Sequence, residues 1–468
     1  MTSNYLGPIQ ANSAVPPIPQ SRLIQLGVAM RRNQSFISKL QWTMTACYLS
    51  LLCLPIFLPM LMQDSNTVAN LRSLVQYLFW GIWWPSVMVT TMTMGRVWCG
   101  VFCPDGALTE FASRHGLKRP IPHLLRWGGW PFITFVYIIV YGHLVSAPHF
   151  PQAALLVLGS CTVAGIVVGY LYGRGSRVWC RYLCPLDGVF GLLAKIAPLH
   201  VKVDEVAWKR DRQRLPAVNC APLINIARMK SASACHVCGR CSGQHDAVEL
   251  ALRSPAHEIL SSDPHTVKTS EAITLIFGMI GSATIAFSWS KTATFAQFKT
   301  VLTNALIDGQ WLALLQENAP WWLLSHYPEV HRVFTWLDAI CILVTILGGA
   351  GALGSILWSG VWLAAKVLRQ PTVSWQRLSL AFVPLAGTGL FLNLSSLTLN
   401  QLEVEGISIS WAPTVRGILL AIGASFSAYL ILRMCLRRNS WRTLAGLSIA
   451  LMPLIVIVRV LLSVPNGV

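Results

Sequence analysis

Long apolar stretches alternate with short polar ones along the chain. A helix of about 20 apolar residues spans the hydrocarbon core of a bilayer, and nine stretches come close to this length. They lie at 43–63, 74–94, 129–147, 153–173, 271–290, 334–358, 378–398, 414–434 and 443–463. The pattern predicts an all-α polytopic membrane protein with about nine transmembrane helices.

The composition agrees with this prediction. Hydrophobic residues make up 54% of the 468 residues and charged residues only 12%, whereas soluble domains carry about 25% charged residues. The net charge of +18 would be typical of a nucleic-acid-binding protein, but basic cytoplasmic loops of membrane proteins also result from topology and from contact with anionic lipid. We therefore expect the lipid bilayer, and not nucleic acid, as a partner.

The distribution of Lys and Arg predicts the orientation in the membrane. If the N-terminus lies in the cytoplasm, 30 of the 36 Lys and Arg residues fall on the cytoplasmic side. Short loops rich in Lys and Arg stay in the cytoplasm. The N-terminus is therefore predicted to be cytoplasmic, and nine spans would place the C-terminus outside.

Two consecutive helical hairpins share one layout at an offset of 81 residues. We interpret them as a duplicated unit, and such repeats often place a site at their junction. A hydrophilic segment follows, and then a membrane domain of about five helices with an outer loop near 291–333. The predicted segments are a cytoplasmic arm (1–42), the two hairpins (43–128 and 129–198), a cytoplasmic cysteine-rich segment (199–269) and the membrane domain (270–468).

Each hairpin ends in a C-x3-C-P loop. The stretch RVWCGVFCPDG at 96–106 returns as RVWCRYLCPLDG at 177–188. Side chains four residues apart on a helical turn lie on one face, so each loop presents two thiols together, and two homologous loops could bring four together. The four predicted metal ligands are Cys99, Cys103, Cys180 and Cys184. A second cluster and copper are both open as the metal bound there.

The hydrophilic segment contains CHVCGRCSGQH at 235–245. A C-x2-C-x2-C run directs three thiolates at one iron–sulfur cluster, whereas zinc usually takes two separated C-x2-C pairs. The run therefore predicts a [4Fe–4S] cluster on Cys235, Cys238 and Cys241. Its fourth ligand is Cys220 or His245, and thiolate ligation, which is more common, favours Cys220.

The rest of the chain carries no further predicted chemistry. Histidine pairs that would hold haem within the spans are not found, nor is a mid-membrane set of charged residues of the kind that ion pumps use. Five scattered cysteines are expected to pack as small apolar residues; they are Cys47, Cys53, Cys161, Cys341 and Cys435. We expect a redox component rather than an enzyme with its own substrate pocket.

Paired C-x3-C-P loops after helical hairpins, followed by a cysteine-rich segment, resemble the NapH/NosR/CcoG group of membrane-bound, ferredoxin-type [4Fe–4S] proteins. The resemblance covers about residues 40–265. It implies a protein of the bacterial cytoplasmic (inner) membrane that handles electrons for periplasmic reductases or for the assembly of copper oxidases. It also implies a metal or redox role for the paired cysteines. The group usually has two complete C-x2-C-x2-C-x3-C-P runs, whereas this chain has one, without the final Cys-Pro.

Two functional hypotheses follow from these motifs. In the first, the cluster at 220–241 and the C-x3-C-P site exchange single electrons with a quinone or a redox partner protein. In the second, the paired thiols bind or reduce copper during metalloenzyme assembly, and the cluster supplies the electrons. The metal at the C-x3-C-P thiols distinguishes the two hypotheses. The sequence predicts no oligomeric state.

Overall fold

The computed structural model describes residues 20–57, 71–211, 216–264, 266–436 and 441–463. Within these ranges the chain is mainly helical, and seven helical segments are long and apolar enough to cross a membrane. They are Gln34–Phe57, Pro151–Tyr172, Thr269–Ser288, Trp336–Leu368, Trp375–Glu403, Ala412–Cys435 and Trp441–Leu462. The prediction of a helical, multi-pass membrane protein is confirmed.

Two predicted spans are not among these seven. The stretch 74–94 forms a continuous helix over 71–94, in which Tyr77–Trp83 has π-helical hydrogen bonding. The stretch 129–147 forms the shorter helix Trp130–Leu144. Its 15 residues extend about 22 Å at 1.5 Å per residue, less than the hydrocarbon thickness of about 30 Å. The count of nine spans stays a prediction.

Shorter helices connect the long ones, and the sequence explains where some of them begin. Pro104 stands at the first turn of its helix, where its missing N–H is not needed. Thr335 and Asp338 form a capping box at the start of the long helix that begins at Trp336. The shorter helices are Gln20–Arg32, Pro104–Arg114, Val178–Tyr182, Asp187–Leu193, Glu205–Arg210, His257–Ser261 and Ala293–Asp308.

The helix Trp375–Glu403, here called the central helix, joins the C-terminal membrane domain to the two hairpins. In its apolar stretch, 83% of the residues are buried. A Cβ atom at Gly387 would lie 2.8 Å from Leu193 and 3.0 Å from the sulfur of Met92. Small residues allow such close helix packing in membranes. The central helix therefore packs against both hairpins near their cysteine loops.

The hydrophilic segment is built on a two-stranded antiparallel sheet. The strand Leu199–Val203 pairs with Val248–Leu252. Val201 on the first strand and Val237 in the intervening loop belong to one buried apolar cluster. The sheet therefore fixes both ends of the loop 204–247, which carries the cysteine run.

The segment 291–333 connects two of the long helices. It contains the helix Ala293–Asp308, whose Lys299 pairs with Asp338 at 2.6 Å. This ion pair ties the segment to the start of the next long helix. Its two short paired strands are His326–Tyr327 and Arg332–Val333. The predicted position of the segment on the outer face stays a prediction.

Candidate metal centre

The first C-x3-C-P loop begins where the helix 71–94 ends. Gly95 has a φ of +65°, a left-handed conformation that costs glycine little because it has no Cβ atom. The chain turns there, and Cys103 then precedes the helix Pro104–Arg114. The Cys103 sulfur accepts the backbone N–H of Gly106 at 3.4 Å, which caps that helix.

The second loop has a related geometry. Cys180 lies in the helical turn Val178–Tyr182, and Cys184 and Pro185 precede the helix Asp187–Leu193. Cys180 is buried, as is Cys99 in the first loop. Both loops thus hold one thiol in a helical turn and the other just before a helix.

The structure brings the four loop cysteines together in the wall of one cavity of about 220 Å³. The pKa of Cys103 is raised, mainly because the thiol is buried and secondly because of the charge of the neighbouring Cys180. The pKa of Cys184 is raised in the same way, first by burial and then by the charges of Cys180 and Cys103. Thiols separated by 81 residues in the sequence are therefore neighbours in the fold. We call Cys99, Cys103, Cys180 and Cys184 the first thiol group.

Two arginines hold the loops face to face by crossed ion pairs. Arg96, from the first loop, donates to Asp187 beyond the second loop at 2.6 Å. Arg177, from the second loop, donates to Glu110 beyond the first loop at 3.0 Å, and also to the carbonyl oxygen of Cys99. Both arginines are almost completely buried. Buried charges need such partners, so each loop depends on an acidic residue supplied by the other.

The cysteine run of the hydrophilic segment forms a second group. Val237 and Gly239 have φ angles of +50° and +76°, which fold the run into a tight turn. The pKa of Cys235 is raised, first by burial and then by the charge of Cys241. The charges of Cys238 and Cys220 raise it further. Cys220 therefore lies beside the three cysteines of the run. We call Cys220, Cys235, Cys238 and Cys241 the second thiol group.

The alternative ligand His245 has other neighbours. Its Nδ1 atom lies 2.9 Å from the Asp211 carboxylate. The centroid of its ring lies 4.4 Å from that of Trp208. The geometry favours Cys220 over His245 as the fourth member of the second thiol group.

The two thiol groups adjoin through backbone contact. A Cβ atom at Gly100 would lie 2.0 Å from the carbonyl oxygen of His236 and 3.0 Å from the backbone nitrogen of Cys238. Gly100 follows Cys99, and His236 follows Cys235. No side chain therefore separates the two backbones where the groups meet.

The helix Gln34–Phe57 and Arg240 reinforce this junction. Gln41 donates to the carbonyl oxygen of Gly100 at 2.7 Å, and Gln34 donates to that of Cys238 at 3.0 Å. Arg240, inside the cysteine run, reaches Glu110 at 2.7 Å. One carboxylate thus binds arginines from the second loop and from the hydrophilic segment, and it links the two thiol groups electrostatically.

Substitution of Gly100 by alanine is expected to open the junction. The added methyl group would meet the backbone of His236, which has little freedom to move, so one of the two segments must shift. We expect Gly100→Ala to reduce the iron bound per chain and to lower the melting temperature. Gly351→Ala is the matched control, because a Cβ atom there has nothing within 4 Å. Equal iron content and melting temperature in both variants would contradict the close contact.

The thiol geometry is compatible with iron–sulfur clusters. A [4Fe–4S] cluster takes four thiolates, each on a different iron, so its ligands surround a volume rather than one ion. Across the described ranges, no three His, Cys, Asp or Glu side chains meet closely enough to hold a single metal ion. Each thiol group has the four thiols that one cluster takes.

His236 is a further group that the sequence did not single out. Its side chain is 1% exposed, and neither ring nitrogen has a hydrogen-bond partner among the described residues. A buried N–H group almost always has an acceptor, and the sulfur atoms of a bound cluster would provide one. His236 therefore fits a cluster held beside it by Cys235 and Cys238.

Sequence reasoning also missed the two acidic residues that pair with the loop arginines. Arg96 and Arg177 repeat at the same offset as the cysteines, and this repetition was an available signal, because a buried arginine requires an anion or other acceptors. Nothing in the sequence pattern identified Glu110 or Asp187 as those anions.

A model of the 4Fe-4S binding domain family matches two segments of the chain, 77–122 and 155–203. Each segment contains one C-x3-C-P loop, and together they make up about a fifth of the chain. The second thiol group lies outside both segments. No curated protein and no solved structure matches the chain. The match supports an iron–sulfur protein of the ferredoxin type, and the apolar helices place it in a membrane.

Proposed function

We propose that this protein is a membrane-bound electron-transfer protein that passes single electrons between two [4Fe–4S] clusters and a quinone or a redox partner protein. The observation that carries the proposal is the close backbone contact between Gly100 and His236, each of which directly follows a cysteine of one thiol group. A [4Fe–4S] cluster supplies one-electron chemistry whose potential depends on nearby charge and hydrogen bonds. The chain supplies the eight thiols, the buried arginines and the junction that would keep the two clusters close together.

The family match supports a cluster, rather than copper, on the first thiol group. Thiolates also bind Cu(I), and copper handling was the alternative hypothesis for the C-x3-C-P loops. The matched segments, however, are those that contain these loops. We therefore assign Cys99, Cys103, Cys180 and Cys184 to a cluster, and copper becomes an outcome that metal analysis can reveal.

The duplicated hairpins and the nine spans also enter the proposal. The helices 71–94 and Trp130–Leu144 would add two spans to the seven apolar helices. With them, both thiol loops lie on the side that carries 30 of the 36 Lys and Arg residues, which is the cytoplasmic side. Electrons would then enter from the cytoplasmic face of a bacterial inner membrane.

Iron analysis and electron paramagnetic resonance (EPR) test this function. Anaerobically purified protein is expected to contain about eight irons and eight acid-labile sulfides per chain, for two cubanes. A Cys235→Ala variant should lose about half of each, together with part of the fast-relaxing EPR signal of the dithionite-reduced protein. Cys47→Ala is the matched control, because Cys47 is exposed and outside both groups. Zinc or copper in place of iron would overturn the proposal.

A further inference from the structure

The cavity beside the first thiol group extends along the membrane helices as far as His143. Tryptophan and phenylalanine side chains make up much of its largely apolar wall. An apolar cavity of about 150 Å³ can hold benzene. The cavity of about 220 Å³ includes the space that a cluster on the first thiol group would take, so a substituted six-membered ring would lie away from the thiols, toward His143.

Helices outside the two matched segments complete this cavity. The central helix contributes Leu390, Leu394 and Leu397, and the helix Thr269–Ser288 contributes Phe287. The cavity is thus a product of the whole membrane domain, and the thiol loops form only one end of it. Its walls give a role to helices for which the sequence predicted no chemistry.

Two hydrogen-bond donors line the cavity. Trp84 lines the cavity, and its buried indole N–H has no partner among the described residues, although buried tryptophans usually find one. His143 also lines the cavity, and its Nδ1 accepts the indole N–H of Trp289 at 3.3 Å. In a neutral imidazole the other nitrogen, Nε2, then carries the proton. Both side chains can therefore donate to a ligand.

Another unpartnered polar group lies outside the cavity wall at a similar depth. Asn393 is 2% exposed, and its side-chain amide has no partner among the described residues. The central helix runs antiparallel to the helix 71–94, and Thr398 donates to the carbonyl oxygen of Gly81. Asn393, which precedes Thr398 by five residues, is therefore within about one helical turn of the level of Trp84.

We propose that this cavity binds the ring of a quinone, whose two carbonyl oxygens accept hydrogen bonds from Trp84 Nε1 and His143 Nε2. The proposal rests on the proposed electron-transfer function, and it selects the quinone over the protein as the partner at this site. A quinone ring is flat, dissolves in the bilayer and carries two acceptors for the two donors. A lipid acyl chain would fill the same apolar space but would leave the buried Trp84 donor unsatisfied, at a cost in free energy.

The test is the dissociation constant of a decyl-substituted benzoquinone, measured by equilibrium dialysis with the purified full-length protein in lipid nanodiscs. Trp84→Phe keeps an aromatic ring and removes the N–H donor, so we expect binding about tenfold weaker, the usual effect of one buried hydrogen bond. His143→Phe should weaken binding by a similar factor. Trp358→Phe is the matched control, because Trp358 does not line the cavity, and its affinity should equal that of the unaltered protein.

A cavity-filling variant tests the space itself. Leu394→Phe adds volume to the wall without changing any polar group, so it should abolish quinone binding while iron and sulfide content stay constant. If the unaltered protein contains no iron, the proposed function is wrong. If it contains all of its iron but does not bind the quinone, only this inference is wrong. Equal affinity for the quinone in Trp84→Phe, His143→Phe and Trp358→Phe would also overturn it.

Discussion

A double variant, Cys99→Ala with Cys180→Ala, is expected to lose about four of eight irons per chain, the content of one cubane. The two substitutions remove one thiol from each C-x3-C-P loop, so the first thiol group is left with half of its ligands. Both cysteines are buried and line the cavity. The measurements are iron and acid-labile sulfide per chain and the integrated EPR signal of the reduced protein.

The EPR spectrum separates this result from simple unfolding. Two paramagnetic clusters held in adjoining loops broaden each other's signals, so the cluster that remains in the variant should give a narrower spectrum. Cys161→Ala is the control, because Cys161 lines the same cavity but is not part of the repeat. It should keep all of its iron. Loss of copper, with iron unchanged, in the double variant would contradict a cluster on the first thiol group and support the copper-handling hypothesis.

The sequence predicted those features that depend on local patterns. Apolar stretches located the long helices, because the bilayer sets the length of a span. The repeated C-x3-C-P loops identified the first thiol group, and the C-x2-C-x2-C run identified three members of the second. Spacing favoured Cys220 as the fourth ligand, and the fold places it near Cys235; its role as a ligand stays a prediction.

The features that the sequence did not predict depend on contacts between distant segments. Gly100 meets His236 across 136 residues of chain, and no local pattern records that contact. The cavity is formed by side chains from both hairpins and from the central helix. Its unpartnered donor Trp84 lies midway along the predicted span 74–94, where no sequence pattern shows that its N–H lacks a partner. Such features become visible only when the packing is known.

Replacement of Glu110 by glutamine is expected to lower the free energy of unfolding by about 3–5 kcal/mol, the usual effect of removing one partner from a buried ion pair. The Glu110 side chain is 5% exposed and bonds to Arg177 at 3.0 Å and to Arg240 and Arg114 at 2.7 Å. Glutamine keeps the shape but not the charge, so Arg177, which is fully buried, would lose its anion. The measurement is the denaturation midpoint of the detergent-purified protein. A change below about 1 kcal/mol, as for a surface pair, would contradict this role.

Glu249→Gln is the matched control for this prediction. Glu249 is 35% exposed and pairs only with Lys202, at 3.0 Å, among the contacts described, so its loss should change stability by no more than about 1 kcal/mol. A second variant, Arg177→Gln combined with Glu110→Gln, removes both buried charges. It should be less destabilised than the sum of the two single variants, because neither charge is then left alone.

The effect of Glu110 should also depend on pH. Burial alone would raise the pKa of the Glu110 carboxyl, but Arg177 and then Arg240 outweigh burial, and the pKa lies below its ordinary value. The stabilisation is therefore complete above the ordinary carboxyl pKa of about 4.3 and is lost as the pH falls through the lower pKa of the folded state. The stability of the unaltered protein should converge on that of Glu110→Gln over this acidic range. Parallel pH profiles for the two proteins would show that the carboxylate is not the group that holds the two thiol groups together.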